Sequence, residues 1–274
     1  MSTPVDAAAL RARLVAPHGP YTTLDVVAST GSTNADLAEA ARKGAPDRTV
    51  LIAAEQTAGQ GRQRRGWVSP AGGLYLSVLF RPAGVPRARV PWLTLLAGVA
   101  VARTAAWAGA SEPVLKWPND LLLGPDRRKA AGILAEIDSE RELGVVLGIG
   151  LNVLPLPEGV PLGAGGLPGT SLSEQGATTL DRTELAAHLL AEIGLLEEAF
   201  REAGGDPESI GLGAEYRRFS ATLGERVRVE LPGQAELLGV AESLEDDGTL
   251  VLRTEDGRPR AVSAGDVVHL RAQH

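Results

Sequence analysis

The pattern of apolar and polar positions divides the chain into a long first part, where strand-length apolar runs alternate with helical stretches, and a short tail of different texture. Residues 6–14 read as a short helix followed by a proline–glycine turn, and residues 24–27 as a strand. STGSTN, residues 29–34, is a cluster of small polar side chains that caps a helix running through Lys43, with Gly44 as its stop. Residues 50–54 form the next strand. LYLSVLF, residues 74–80, is a nearly unbroken apolar run, which implies cover on both faces. An alanine- and leucine-rich helix follows at 91–110, packed by its apolar stripe. Further strands are expected up to the Pro-Asn-Asp turn at 118–120, at 128–137 and at 144–153, then helices at 181–203 and near 215–219. From residue 224 the runs VRVEL, AELLGVAESL, TLVLRT and VVHLR are broken by Pro232-Gly233, Asp247-Gly248 and Asp256-Gly257. That predicts a small β-barrel forming a separate domain.

Composition narrows the function. A chain of 274 residues with 44% apolar residues can build one large core plus an appendage. Cysteine is absent, which excludes thiol nucleophiles, cysteine metal sites and disulfides together. The first twenty residues carry no signal-peptide core, and no stretch reaches the ~18 uninterrupted apolar residues of a membrane span. A soluble cytoplasmic protein without a membrane partner is expected. His18, His188, His269 and His274 lack metal-ligand spacing, and no G-x-S-x-G elbow is present. Of 27 basic residues only Lys43, Lys116 and Lys129 are lysine. In such an arginine-rich chain, lysines mark places that need a compact ammonium rather than a guanidinium fork.

The densest chemistry lies in residues 56–73, QTAGQGRQRRGWVSPAGG, where five glycines accompany three arginines in a chain of net charge -7. Glycines let backbone N–H groups approach a ligand, and guanidiniums donate in pairs to carboxylate or phosphate. The stretch therefore reads as an anion-binding loop slung between two strands. It is neither a Walker loop nor a dinucleotide fingerprint, because Gly59-Gln60-Gly61-Arg62-Gln63 is followed by Arg64 and runs on to Ser69-Pro70. Alone, it is equally compatible with a solvated basic turn or a nucleic-acid contact. Its neighbours decide. One helix cap needs one side chain, so the surplus hydroxyls of STGSTN and Asn34 are left for a polar ligand. LKWPNDLLLG places Lys116 and Asp120 at a strand end beside an exposed amide. RKAAGILAEI opens with Lys129 and continues through small residues against which something can lie flat. GVVLGIGLNV ends on Asn152. The proline- and glycine-rich residues 155–169 read as a mobile loop that closes over a ligand.

STN at 32–34, QTAG-G-R…W at 56–67, KWPND at 116–120, RKAAGIL at 128–134 and GIGLNV at 148–153, in this order and ahead of an SH3-like tail, resemble a biotin-protein ligase. The resemblance covers nearly all of the chain beyond residue 20. It implies an α+β fold: a mixed β-sheet with flanking helices, of the class II synthetase-like biotin/lipoate ligase type, over residues 21–222, and an SH3-like barrel over 223–274, after an extension of residues 1–20. It also implies activation of biotin by ATP to biotinyl-5'-adenylate with Mg2+, then transfer of biotin to one lysine of a carboxylase carrier domain.

By the same resemblance, Ser32, Thr33, Asn34 and Gln56 bind the biotin ring system. The backbone of Gly59, Gln60, Gly61 and Arg62, with the Arg62 side chain, wraps the carboxylate and phosphate, and Lys129 contacts the reacting oxygens. Lys116 supplies further positive charge, Trp67 stacks on adenine, Asn119 and Asn152 line the phosphate region, and Asp120 holds Mg2+ or orients the incoming amine. Such ligases usually carry G-R-G-R where this chain has Gly59-Gln60-Gly61-Arg62, so one guanidinium is missing and looser retention of the adenylate is expected. Only about 20 residues precede the catalytic region, fewer than a helix-turn-helix domain needs, so no DNA binding is expected; a monomer or weak ligand-dependent dimer is. Two rivals remain. A lipoate-protein ligase shares the fold, but a dithiolane offers no partner to the hydroxyl–amide cluster. An RNA-binding module would use the arginine loop and barrel, against an acidic net charge and only three Phe and three Tyr.

Overall fold

The structure, a computed structural model, describes residues 3–138, 143–231, 236–263 and 265–269. The first part is built on a seven-stranded sheet of β1 (Thr23–Val27), β2 (Thr49–Ala53), β3 (Leu74–Phe80), β4 (Val114–Lys116), β5 (Asp120–Leu123), β6 (Arg128–Asp138) and β7 (Gly144–Leu151). Its order is β1-β2-β3-β7-β6-β5-β4. Only β1 and β2 run parallel; the remaining pairs are antiparallel, so the sheet is mixed, as expected.

Why the two faces differ follows from strand alternation. On one face, Leu76, Val78 and Phe80 of β3 and Val145, Leu147 and Ile149 of β7 enter the main core. There they meet α3 (Trp92–Trp107), which is buried along most of its length and backed by α4 (Arg182–Glu202) and α5 (Leu212–Phe219). The stretch 87–107 is long and apolar enough to cross a membrane by length and composition, but it serves here as the core helix. The other face carries Ser77 on β3 and Gly148 and Gly150 on β7, side chains too small to fill a layer. Here α2 (Thr33–Arg42) covers only one end, packing Leu37 and Ala41 on Leu79 and Val146. The uncovered end of that face is where a cavity opens.

Local signals account for the helix ends. Asp6 caps α1 (Ala7–Leu14) by accepting from the backbone N–H of Ala8 and Ala9, and Asp181 does the same for α4. Gly44, at φ +93°, lies just past α2 in the left-handed region that glycine tolerates.

The tail forms β8 (Arg226–Glu230), β9 (Glu236–Leu244), β10 (Leu250–Thr254), β11 (Pro259–Val262) and β12 (Asp266–His269), an antiparallel sheet in the order β11-β10-β9-β8-β12. It agrees with a small SH3-like unit, but it is an open sheet rather than the closed barrel expected: among the described residues no ladder joins β11 to β12. Of the expected turns, Pro232-Gly233 lies outside the described residues. The tail's core also continues into that of the first part, with Val227, Ala241 and Leu250 in one apolar cluster with Trp92 and Leu95. Trp92 and Trp117 donate their indole N–H to the carbonyls of Asp246 and Gly248.

Candidate active site

Five separated motifs meet at one cavity of about 920 Å3 on the open end of the sheet. Ser32 caps α2, its hydroxyl 3.5 Å from the Ala35 N–H, and it lines the cavity with Thr33 and Asn34. Thr33 and Asn34, expected to be free for a polar ligand, are already paired. Thr33 donates to Gln56 Oε1 from both its backbone N–H (2.9 Å) and its hydroxyl (3.1 Å), and Gln56 Nε2 donates to Ser69 Oγ (2.9 Å). Asn34 Nδ2 donates to Leu134 O and Glu136 Oε2, while Ser77 Oγ donates to Asn34 Oδ1 at 2.6 Å. All three residues are buried, and burial of a polar group demands such partners. What the cluster provides is a rigid polar wall. Ser69, Ser77 and Glu136 were not foreseen; a serine in the middle of the otherwise apolar β3 was the available signal.

Glycine requirements explain the loop and the floor. A Cβ on Gly59 would lie 2.5 Å from the Trp67 carbonyl oxygen, so the loop closes on itself only with glycine there. Gly132 of β6 and Gly150 of β7 are direct cross-strand partners. The Trp67 indole lies over them: a Cβ on Gly150 would be 2.3 Å from Trp67 Nε1, and one on Gly132 3.2 Å from the ring. The object lying flat against the small residues of β6 is thus a side chain of this chain. The Lys129 ammonium stands 5.3 Å from the Trp67 ring centroid.

Lys116 and Asp120 end β4 and begin β5 across the turn at Pro118, whose bond to Trp117 is cis. Asp120 is buried, with Lys129 Nζ 2.6 Å from Oδ1 and Lys116 Nζ 3.2 Å from Oδ2. Burial opposes its ionisation, yet the two ammoniums, Lys129 more than Lys116, overcome that and hold the carboxyl below the usual carboxylate range. Lys129 and Asp120 line the cavity, whereas Lys116 sits behind Asp120 and is not part of the lining. With both oxygens held by ammoniums and no group of three acidic or histidine side chains among the described residues, Asp120 does not fit a direct Mg2+ ligand.

Asn119, expected to be exposed, is half-buried: Nδ2 donates to Ile133 O at 2.9 Å, and Oδ1 accepts from Arg62 at 3.4 Å. Arg62 Nη1 also donates to the Gly265 carbonyl at 3.1 Å. Burial pulls its guanidinium below the ordinary value, opposed by Asp266 and Asp120, and an arginine still remains charged. Gln60 is exposed, its backbone bridged to Gly66. Arg65 lines the cavity and binds Asp266, while Arg64 stays outside the lining. Charge in the lining is balanced, because Arg62, Arg65 and Lys129 face Glu55, Asp120 and Asp266. The loop's excess of positive charge is thus offset by acids from other parts of the chain.

Apart from Asp120 Oδ1, which the Lys129 ammonium meets, two buried polar atoms of the lining have no hydrogen-bond partner among the described residues: Trp67 Nε1, a donor, and Asn152 Oδ1, an acceptor. Asn152 is oriented by its amide, which donates to Thr170 O at 2.9 Å. Such orphans are costly unless something pairs with them. Residues 155–169, expected to close over a ligand, run along the rim with Leu156, Leu162 and Leu167 in the lining, and Lys129 N–H holds their far end through Pro168 O.

The model of the Biotin/lipoate A/B protein ligase family matches residues 26–152, and that of the Biotin protein ligase C terminal domain matches residues 222–270. The chain is 45% identical over 273 residues to the biotin--[acetyl-CoA-carboxylase] ligase of Mycobacterium tuberculosis, a match covering 98% of this chain and 97% of that one. It belongs to the biotin protein ligase family. It is also 34% identical to the bifunctional ligase/repressor BirA of Bacillus subtilis, over 88% of this chain and 71% of the relative. Among solved structures, the biotin protein ligase from Aquifex aeolicus in complex with biotin and ATP superposes with a TM-score of 0.72 at 26% identity, covering 92% of this chain and 100% of that one. The Leishmania major biotin protein ligase in complex with biotinyl-5-AMP gives 0.58 at 27% identity, over 89% and 99%. The resemblance carried by the five motifs is therefore borne out.

Proposed function

We propose that this cavity is where the enzyme, a biotin protein ligase, joins biotin to ATP and then passes biotin to a protein lysine. The observation that carries this reading is the convergence of the five motifs, from residues 32 to 152, on one cavity of about 920 Å3. In the first half-reaction the biotin carboxylate attacks the α-phosphorus, forming biotinyl-5'-AMP and releasing pyrophosphate. Two anions must approach, which fixed cationic and N–H donors make tolerable. In the second half-reaction an acceptor lysine amine attacks the acyl carbon and AMP leaves.

Ser32, Thr33, Asn34 and Gln56 present the ureido ring with a prearranged set of hydroxyl and amide groups. The backbone of Gly59, Gln60 and Gly61 and the Arg62 guanidinium meet the acid oxygens. Lys129, held by Asp120 with Lys116 behind, supplies charge at the reacting centre. Trp67 offers a ring to adenine, and Asn119 and Asn152 line the phosphate region. Residues 21–222 carry this machinery, α1 packs on its outside against α4 and β1, and Asp266 of the C-terminal unit joins one wall. The acceptor is a biotin carboxyl carrier domain, met by a monomeric or weakly dimeric ligase in the cytoplasm, where ATP and carboxylases are found, without DNA.

Pyrophosphate release measured with ATP and Mg2+ should require biotin and should not respond to lipoate or RNA. Equal release with lipoate would assign the site to the other branch of the family.

A further inference from the structure

The acid nearest the anion-binding arginines comes from the C-terminal sheet. Asp266 opens β12, its side chain only 7% exposed, yet it lines the cavity. Arg65 Nη2 donates to its Oδ2, and Arg62 Nη1 lies 3.9 Å from its Oδ1. Arg62 also reaches the neighbouring Gly265 carbonyl. Among the described residues neither arginine forms an ion pair with any other acid. A brace would be expected to use residues set away from a ligand, but here all three residues line the cavity.

We propose that Asp266 is a resident competitor, a carboxylate that holds Arg65 and faces Arg62 until the oxyanion of a ligand takes its place. The inference rests on the reading above, in which Arg62 meets the ligand's acid oxygens. A carboxylate offers a guanidinium the same pair of oxygens as a biotin carboxylate or a nucleotide phosphate, so the exchange keeps the donors satisfied while the ligand binds. It also explains why the lining is charge-balanced although the ligands are anions. Strand geometry permits the move: among the described residues β12 is a four-residue edge strand paired on one side, to β8, with Asp266 opposite Glu230. Filling the cavity would then loosen the edge of the C-terminal sheet, which makes that sheet a sensor of occupancy.

Calorimetric titrations of the full chain and of Asp266→Asn with biotin, with ATP, and with biotinol, which keeps the ring and chain but replaces the carboxylate by an alcohol, test this. Asp266→Asn should bind biotin or ATP about tenfold more tightly, a gain of about 1.4 kcal/mol, with biotinol unchanged. The ligand that gains is the one whose anion displaces Asp266. No gain for either anion, or an equal gain for biotinol, overturns the proposal. If the unaltered chain itself holds biotinol as tightly as biotin, the reading of Arg62 fails instead, and the proposal with it. A second measurement needs no variant: hydrogen exchange at the amides of residues 266–269 should accelerate when biotin and ATP are added, and slower or unchanged exchange there overturns the proposal.

Discussion

Two buried carboxylates in this molecule share one electrostatic formula and differ in consequence. Asp120 lies between two lysines in the cavity wall, whereas Glu197, on the buried side of α4, lies between two arginines. Around Glu197, 1% exposed, Arg48 Nη2 approaches to 2.8 Å and Arg201 donates from Nε at 2.8 Å and Nη2 at 2.5 Å, while Arg201 also binds Asp47. Those forks occupy both oxygens of the carboxylate, and neither arginine is in the lining of the cavity. At Asp120 the partners are point charges, and Lys129 also lines the cavity. Burial and pairing are therefore common to both clusters; what sets Lys129 apart is an ammonium held by a carboxylate on one side while its residue lines the cavity on the other.

The largest effect should come from breaking the first cluster. Asp120→Ala leaves Lys116 buried and unpaired, a loss of about 3–5 kcal/mol in chemical denaturation, and it should lower biotin-dependent pyrophosphate release by at least about 100-fold. Unchanged turnover would remove Asp120 from the machinery. Glu197→Ala should cost a similar 3–5 kcal/mol of stability with the release rate per folded molecule intact; a fall in that rate would erase the contrast between the clusters. Restoring the guanidinium that this loop lacks, Gln60→Arg, should slow escape of the adenylate by about 10- to 100-fold, the equivalent of one charge-assisted hydrogen bond of about 1.5–3 kcal/mol, and equal retention would refute the idea of a loosened grip. Acidity offers a smaller test. The folded Asp120 carboxyl is held low, so its contribution is fully present above the unfolded value of about 3.9 and is lost as pH falls through the folded value; Asp120→Asn should flatten that acid limb of the stability curve. Last, Lys43, exposed and paired with Glu39 on α2, should be replaceable by alanine without a measurable shift in the denaturation midpoint.

Lys43 also shows what could be read in advance. Three lysines stood out in an arginine-rich chain, and two of them converge on one aspartate, while the third forms a surface pair of the ordinary (i, i+4) kind. Turn and cap chemistry is local, so the ends of α1, α2 and α4 and the whole of β3 were legible to within a residue or two. Long-range pairing was not. Nothing along the chain announced that Ser77 would occupy Asn34, or that Asp266 would travel 201 positions to reach Arg65. The open ladder of the tail was also hidden, because the same short strands suit a sheet or a barrel.

What the sequence determined by itself is the inventory: a glycine–arginine loop between strands, a lysine–aspartate turn, a glycine-bearing strand pair and a β-rich tail, each set by side-chain size, charge and backbone freedom over a few residues. The tertiary structure decided their sign and allegiance. Stacking Gly132 beside Gly150 made the shelf that Trp67 occupies, and docking the tail brought Asp266 into the lining. Electrostatic and steric forces act through space, and only the fold sets those distances.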